Sequence, residues 1–325
     1  MTDSNSRVPL EEVAGDLRPL IAAFRAAGEI SFQDVPLEQS RANYRAGCAA
    51  NGLPPEEVAL VRDHPVPVAG STITLREYRP ATGDEPLAAV FFVHGGGWVI
   101  GDLETHDRIC RFIAAKSGLA VFAVDYRLAP EFPFPVPLQD CAEALGWLVA
   151  NAARLKIRAD AIRGVGDSAG GNLVAVLAAD PALRPAGFDF SALALLYPVT
   201  DLRARTASYR RIAAGFPLTR AGMEWFAGHY LPPGTDQSDP RVSPLLGPMP
   251  TASPLFIVSC GLDPLSDEGI AYAHAAGLAG LRVEHHHLPG HAHGLFTSAG
   301  KIATGKGMTQ RLADFLAGRD LGATG

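Results

Sequence analysis

The run Gly166-Asp167-Ser168-Ala169-Gly170 most narrows what this chain can fold into. A G-x-S-x-G sequence works as a sharp strand-to-helix turn, because its serine takes a strained backbone conformation and the flanking positions have no room for a Cβ. Both flanks suit such a turn. Residues 161–165 read as a short buried strand, and residues 172–179 are rich in helix formers and stop at Asp180-Pro181. A serine placed there exposes its hydroxyl and can serve as a nucleophile. Gly164, Gly166 and Ala169 also spell G-x-G-x-x-A, a dinucleotide-binding pattern. That pattern ordinarily lies in the first βαβ unit, whereas here at least two strands precede it.

A second glycine-rich turn supports the nucleophile reading. The apolar run 87–93 reads as a buried strand and opens directly into His94-Gly95-Gly96-Gly97-Trp98. Successive glycines let backbone N–H groups converge on one point, which stabilising an oxyanion requires. Gly95, Gly96 and Gly97 are the candidate donors, with the Ala169 amide as their partner. Acyl transfer through serine also needs a base, and an acid to orient that base. Residues 254–259 read as a strand whose following loop holds Asp263, and residues 281–288 read as the next strand, followed by a turn-rich loop with His291 and His293. The order Ser168, Asp263, His293 is that of α/β-hydrolases. His291 competes with His293 for the role of base. Asp267 and Glu268 compete with Asp263, but both suit the first turn of a helix starting near Asp267.

These residues resemble the bacterial esterases of the hormone-sensitive-lipase group, the GDXG lipolytic enzymes. The resemblance runs from residues 94–98 through Asp125-Tyr126-Arg127-Leu128-Ala129-Pro130-Glu131, residues 166–172, Tyr197-Pro198, Ser243-Pro244 and Asp263-Pro264-Leu265 to His293-Gly294. It departs from the family at His291, where an apolar residue is usual, and at Leu295, where phenylalanine is frequent. The resemblance implies an α/β-hydrolase fold, a mostly parallel central sheet flanked by helices, with a helical cap. It implies Ser168 as nucleophile, Asp263 as orienting acid, His293 as base, and Gly95, Gly96, Gly97 and Ala169 as the oxyanion hole. The activity implied is hydrolysis of short- to medium-chain carboxylic esters. Lactone or amide cleavage uses the same triad, and a non-catalytic small-molecule receptor on the same scaffold can dispense with the base.

The remainder of the chain fits that frame. Apolar residues recur at helical spacing from Leu10 to Phe24, residues 37–50 form a second helical pattern, and residues 66–79 alternate as a strand. Strands and helices then alternate until the order breaks after residues 192–197. The expected division is N-terminal cap helices at 1–50, core at 51–200, a cap insertion at 201–240 and core again at 241–325. Leu218, Trp225 and Phe226 of the insertion, together with Trp98, are candidates for contact with substrate. A net charge of −6 without a basic run argues against a nucleic-acid partner. The four cysteines, Cys48, Cys110, Cys141 and Cys260, lack metal-type spacing and read as reduced and mostly buried. Glu284-His285-His286-His287 invites a metal reading, but alternate strand residues face opposite sides and no ordered carboxylate cluster accompanies them. The expectation is no metal and no cofactor. Residues 1–7 lack a signal-peptide pattern and no apolar stretch is long enough to span a bilayer, so a cytoplasmic location is expected. The partner expected is a small-molecule ester, and a homodimer through an edge strand near residues 281–288 is compatible with the resemblance alone.

Overall fold

The computed structural model describes residues 7–251 and 254–319. The expectations placed on residues 1–6 and 320–325 lie outside the described residues. Among the described residues, eight strands form one sheet: β1 (Leu60–Val68), β2 (Ser71–Arg79), β3 (Leu87–Val93), β4 (Ala120–Asp125), β5 (Ile157–Asp167), β6 (Ala192–Leu196), β7 (Leu255–Leu262) and β8 (Val283–Ala292). Their order is β1-β2-β4-β3-β5-β6-β7-β8. The β1–β2 and β2–β4 pairs are antiparallel and the others parallel. Parallel strands covered on both faces should read as continuous apolar runs. All five residues of β6 and all eight of β7 are buried, as are the last five of β3. Each fully buried Phe, Leu or Val side chain contributes roughly 1.5–3 kcal/mol.

Helices cover the two faces and define two apolar cores. They are α1 (Arg18–Ala26), α2 (Leu37–Asn51), α3 (Leu103–Ser117), α4 (Val136–Ala150), α5 (Ala169–Ala179), α6 (Ala207–Arg211), α7 (Arg220–Tyr230), α8 (Ser266–Leu278) and α9 (Ala303–Leu316). Two boundaries differ from expectation at the start of the chain. The helical pattern from Leu10 yields only a short 3-10 turn at Leu10–Glu12, and α1 begins at Arg18. Pro19 has no N–H to bond a preceding turn, so it is tolerated only in the first turn of a helix. The alternating stretch 66–79 is a hairpin rather than one strand, with Gly70 at φ 72° in the turn between β1 and β2.

Two segments outside the sheet meet each other. Phe32, between α1 and α2, packs on Phe226 of α7 with ring centroids 5.3 Å apart. Arg25 Nε donates to the Gly215 carbonyl at 3.1 Å, and the Ser31 hydroxyl donates to Pro217 O. Arg41 on α2 fastens the first segment to the core, donating to Val99 O at 3.0 Å and pairing with Glu131 at 2.7 Å. All four cysteines are unpaired and buried. Among the described residues no helix is long and apolar enough to cross a membrane.

Candidate active site

β5 ends at Asp167 and α5 begins at Ala169, so Ser168 is the whole of the turn between them. Its φ of 55° lies in the left-handed region, a conformation costing a non-glycine residue about 1–3 kcal/mol. The surroundings hold it there. The Ser168 amide donates to Leu196 O at 2.8 Å, and its carbonyl accepts from Val199 N at 3.2 Å. The turn closes so tightly that a Cβ on Gly166 would strike the Gly170 carbonyl, and one on Gly170 would strike Val93 O.

The chain brings the two other residues of the expected set to Ser168. Asp263 follows β7 and is fully buried, with Oδ1 accepting from Leu265 N at 2.9 Å. Its Oδ2 accepts from His293 Nδ1–H at 2.7 Å. The opposite ring nitrogen, Nε2, accepts from the Ser168 hydroxyl at 2.9 Å. Tyr197, just beyond β6, packs against the His293 ring with centroids 4.4 Å apart. His291 stands elsewhere: its Nε2 lies 3.1 Å from Asp16 Oδ1, and Asp16 also accepts from Thr304 N. The expected loop at residues 289–294 is shorter than the sequence suggests, because β8 runs through Pro289-Gly290 to Ala292. His291→Ala should therefore keep kcat/KM within about 3-fold while costing about 1.5–3 kcal/mol of stability, the value of a hydrogen bond to a charged group. Ester assays alongside denaturant melts check both.

The glycine loop requires one correction. The Gly95 amide donates to Asp167 Oδ1 at 2.8 Å, so it faces away from any oxyanion and serves to fix the loop. The amides of Gly96, Gly97 and Ala169 make no hydrogen bond among the described residues and remain available. Gly96 adopts φ 115°, and a Cβ there would collide with the Ile100 carbonyl. Asp167 is buried with His106 Nε2 at 3.1 Å. Burial alone would raise its carboxyl, but His106 and the Gly95 amide outweigh this and hold it below its ordinary value of 3.8. A depressed folded-state value stabilises the fold above the unfolded carboxylate range, and that stability is lost as pH falls through the folded value. Asp167→Asn should thus lower Tm at neutral pH and flatten the loss of Tm as pH falls below about 4, as read by thermal melts in acid solution. The neighbouring His94 is driven down to about 4, first by burial and then by His106, and stacks on Tyr126 at 4.3 Å.

Ser168, His293, Gly96 and Gly97 open onto a cavity of about 350 Å³. Its apolar wall includes Phe24, Phe32, Leu218, Met223 and Phe226, with Asn43 and Ser31 among the polar exceptions. Leu218 and Phe226 thus line the cavity. Trp98 does not: it is fully buried, stacked on Tyr230 at 4.2 Å and nearly parallel to it. Trp225 is also away from the cavity, packed on Phe226 and His229. The sequence alone does not single out Tyr197, His106 or the individual N-terminal wall residues Phe24 and Phe32. Tyr197-Pro198 was visible as a motif without a role, whereas a single histidine on α3 carries no local signal.

Glu284 and the three histidines after it alternate as a strand dictates. His285 and His287 both bond the Ser259 hydroxyl, at 2.8 and 2.9 Å, while His286 pairs with Glu284 at 2.7 Å. Among the described residues no group of three or more His, Cys, Asp or Glu could hold a metal ion.

Residues 90–297 match a family model described as alpha/beta hydrolase fold. The chain is 36% identical over 279 residues to an ethyl acetate hydrolase of Pseudomonas putida, covering 84% of this chain and 88% of that protein. It is 40% identical over 282 residues to the carboxylic ester hydrolase LipN of Mycobacterium tuberculosis, covering 84% and 74% of the two chains. Among solved structures, an ester-hydrolase from the metagenome of Lake Arreo, complexed with a bipyridine phosphonate derivative, superposes with a TM-score of 0.88 at 35% identity, over 94% of this chain and 98% of that one. An esterase of Pyrobaculum calidifontis gives 0.85 at 31% identity, over 94% and 98%. Together with the turn at Ser168 and the order of the sheet, these similarities establish that the chain belongs to the hormone-sensitive-lipase-like esterase family of α/β-hydrolases.

Proposed function

We propose that this chain hydrolyses short- to medium-chain carboxylic esters through an acyl-enzyme on Ser168. The relay Asp263–His293–Ser168, with bonds of 2.7 and 2.9 Å beside unengaged backbone amides, is the observation that carries the reading. His293 Nε2 takes the hydroxyl proton as Ser168 Oγ bonds to the ester carbonyl carbon, and the carbonyl electron pair moves to oxygen. The amides of Gly96, Gly97 and Ala169 hold that oxyanion. Collapse breaks the bond to the alcohol oxygen, which leaves with the proton from His293. Water then attacks the acyl carbon, gives its proton to His293, and Ser168 leaves with that proton restored. Asp263 keeps the imidazole in the productive tautomer throughout.

Residues 7–50 and 201–240 act in this reading as a cap that closes the cavity over the acyl or alcohol group. The cavity of about 350 Å³ suits small esters better than triglyceride chains. A nitrophenyl ester series should show kcat/KM peaking at short acyl chains. A peak at long chains, or no turnover by folded protein, would contradict this. No step requires a metal, nucleotide or flavin, so dialysis against a chelator should leave ester hydrolysis unchanged. Pairing of two copies through the exposed edge of β8 is the corresponding proposal for assembly, read by light scattering on a sizing column.

A further inference from the structure

Glu268 sits in the first turn of α8, five residues beyond Asp263, where a carboxylate ordinarily faces water and favours the helix N-terminus. Here it is fully buried. Its Oε1 accepts from the amide of Thr200 at 2.7 Å and from that of Asp201 at 3.1 Å. The Thr200 hydroxyl returns a bond to Glu268 O at 3.0 Å. Residues 197–201 are the loop that packs Tyr197 on His293 and donates from Val199 N to the Ser168 carbonyl. The helix on the other side of the bridge starts where the Asp263 loop ends, and Leu265 N of that loop bonds Asp263 Oδ1. One side chain therefore joins the segment that presents Asp263 to the segment that supports both Ser168 and His293.

We propose that Glu268 is a positioning residue for the triad: its carboxyl oxygen, shared by the Thr200 and Asp201 amides, sets the distance between the Asp263 loop and the loop under Ser168 and His293. This rests on the triad reading given above. Two short hydrogen bonds in a water-free setting fix relative position more tightly than apolar packing does, and misplacement of about 1 Å can cost about 100-fold in rate. The carboxyl acts as an acceptor rather than as a charge. Burial pushes it well above the usual carboxylate range, with the Thr200 and Asp201 amides pulling the other way. Its second oxygen and the Tyr209 hydroxyl are both buried and near enough to interact, though short of hydrogen-bond geometry. A glutamine fits this setting, since its carbonyl can accept both amide bonds while its NH2 faces the Tyr209 oxygen.

The test compares wild type with E268A, E268Q and E268D on a short nitrophenyl ester, with phosphonate labelling rates and thermal melts of each. Glu268→Ala is expected to lower kcat and the labelling rate together by about 10- to 100-fold, with KM within about 3-fold of wild type. Glu268→Gln should recover most of that loss, and Glu268→Asp, which retracts the acceptor by one methylene, should not. Folded E268A with wild-type kcat, a loss carried by KM, or a glutamine variant no better than the alanine one would each overturn the proposal. If E268A does not fold, the contrast between E268D and E268Q decides in the same way. S168A is assayed alongside: wild-type turnover that vanishes in S168A upholds the esterase reading whatever Glu268 does, whereas no turnover by wild type overturns both.

Discussion

Ser168→Ala is expected to lower kcat for a short nitrophenyl ester by about 10⁶-fold, leaving only what the amides and binding supply. The substitution removes the Oγ proposed to accept the acyl group and deletes one hydrogen bond at 2.9 Å, while the turn itself is held by backbone contacts. Far-UV circular dichroism and Tm should stay near those of wild type, because alanine tolerates the same φ no worse than serine. Ser168→Ala combined with His293→Ala should cost little more than either alone, since a base without a nucleophile has nothing to activate. Steady-state assays on the three variants, in a preparation free of contaminating esterase, check this. Additive losses would mean that the two residues do not act as one unit.

Asp263→Asn should lower kcat by about 10⁴-fold with KM little changed. Asp263 Oδ2 accepts from Nδ1–H at 2.7 Å and thereby leaves Nε2 as the acceptor facing Ser168. An asparagine presenting its NH2 to Nδ1 would invert that tautomer, placing the ring proton on Nε2 where it cannot take another from serine. The loss should shrink as pH rises, because hydroxide partly replaces the missing base. A pH–rate profile measured from neutral to alkaline solution reads this. Near-full activity in Asp263→Asn would remove Asp263 from the triad.

What could be read in the sequence was what local spacing encodes. The turn at Ser168 and the glycine loop after β3 each depend on contacts within a few residues, so glycine positions announce them. The order of Ser168, Asp263 and His293 along the chain then suggested the set that the fold gathers. Features fixed by distant partners were not legible. Gly95 looks like its two neighbours until Asp167, which follows 72 residues later, claims its amide. Trp98 beside a glycine loop suggests a substrate contact, but Tyr230 on α7 supplies a stacking surface that takes it into the core. Pro289-Gly290 reads as a turn, yet pairing with β7 carries the strand onward, with a shift of register between Cys260 and Leu262 absorbing the irregularity. Glu268 has the composition of an exposed first-turn acid, and only the position of the loop after β6 turns it into a buried acceptor.

The most direct test of the central claim is to label the folded wild-type protein with a fluorophosphonate and map the adduct by mass spectrometry. A single adduct on Ser168, formed in step with loss of ester hydrolysis and absent from Ser168→Ala, is the expected result. An adduct on another residue, or hydrolysis that persists after complete labelling of Ser168, would contradict it.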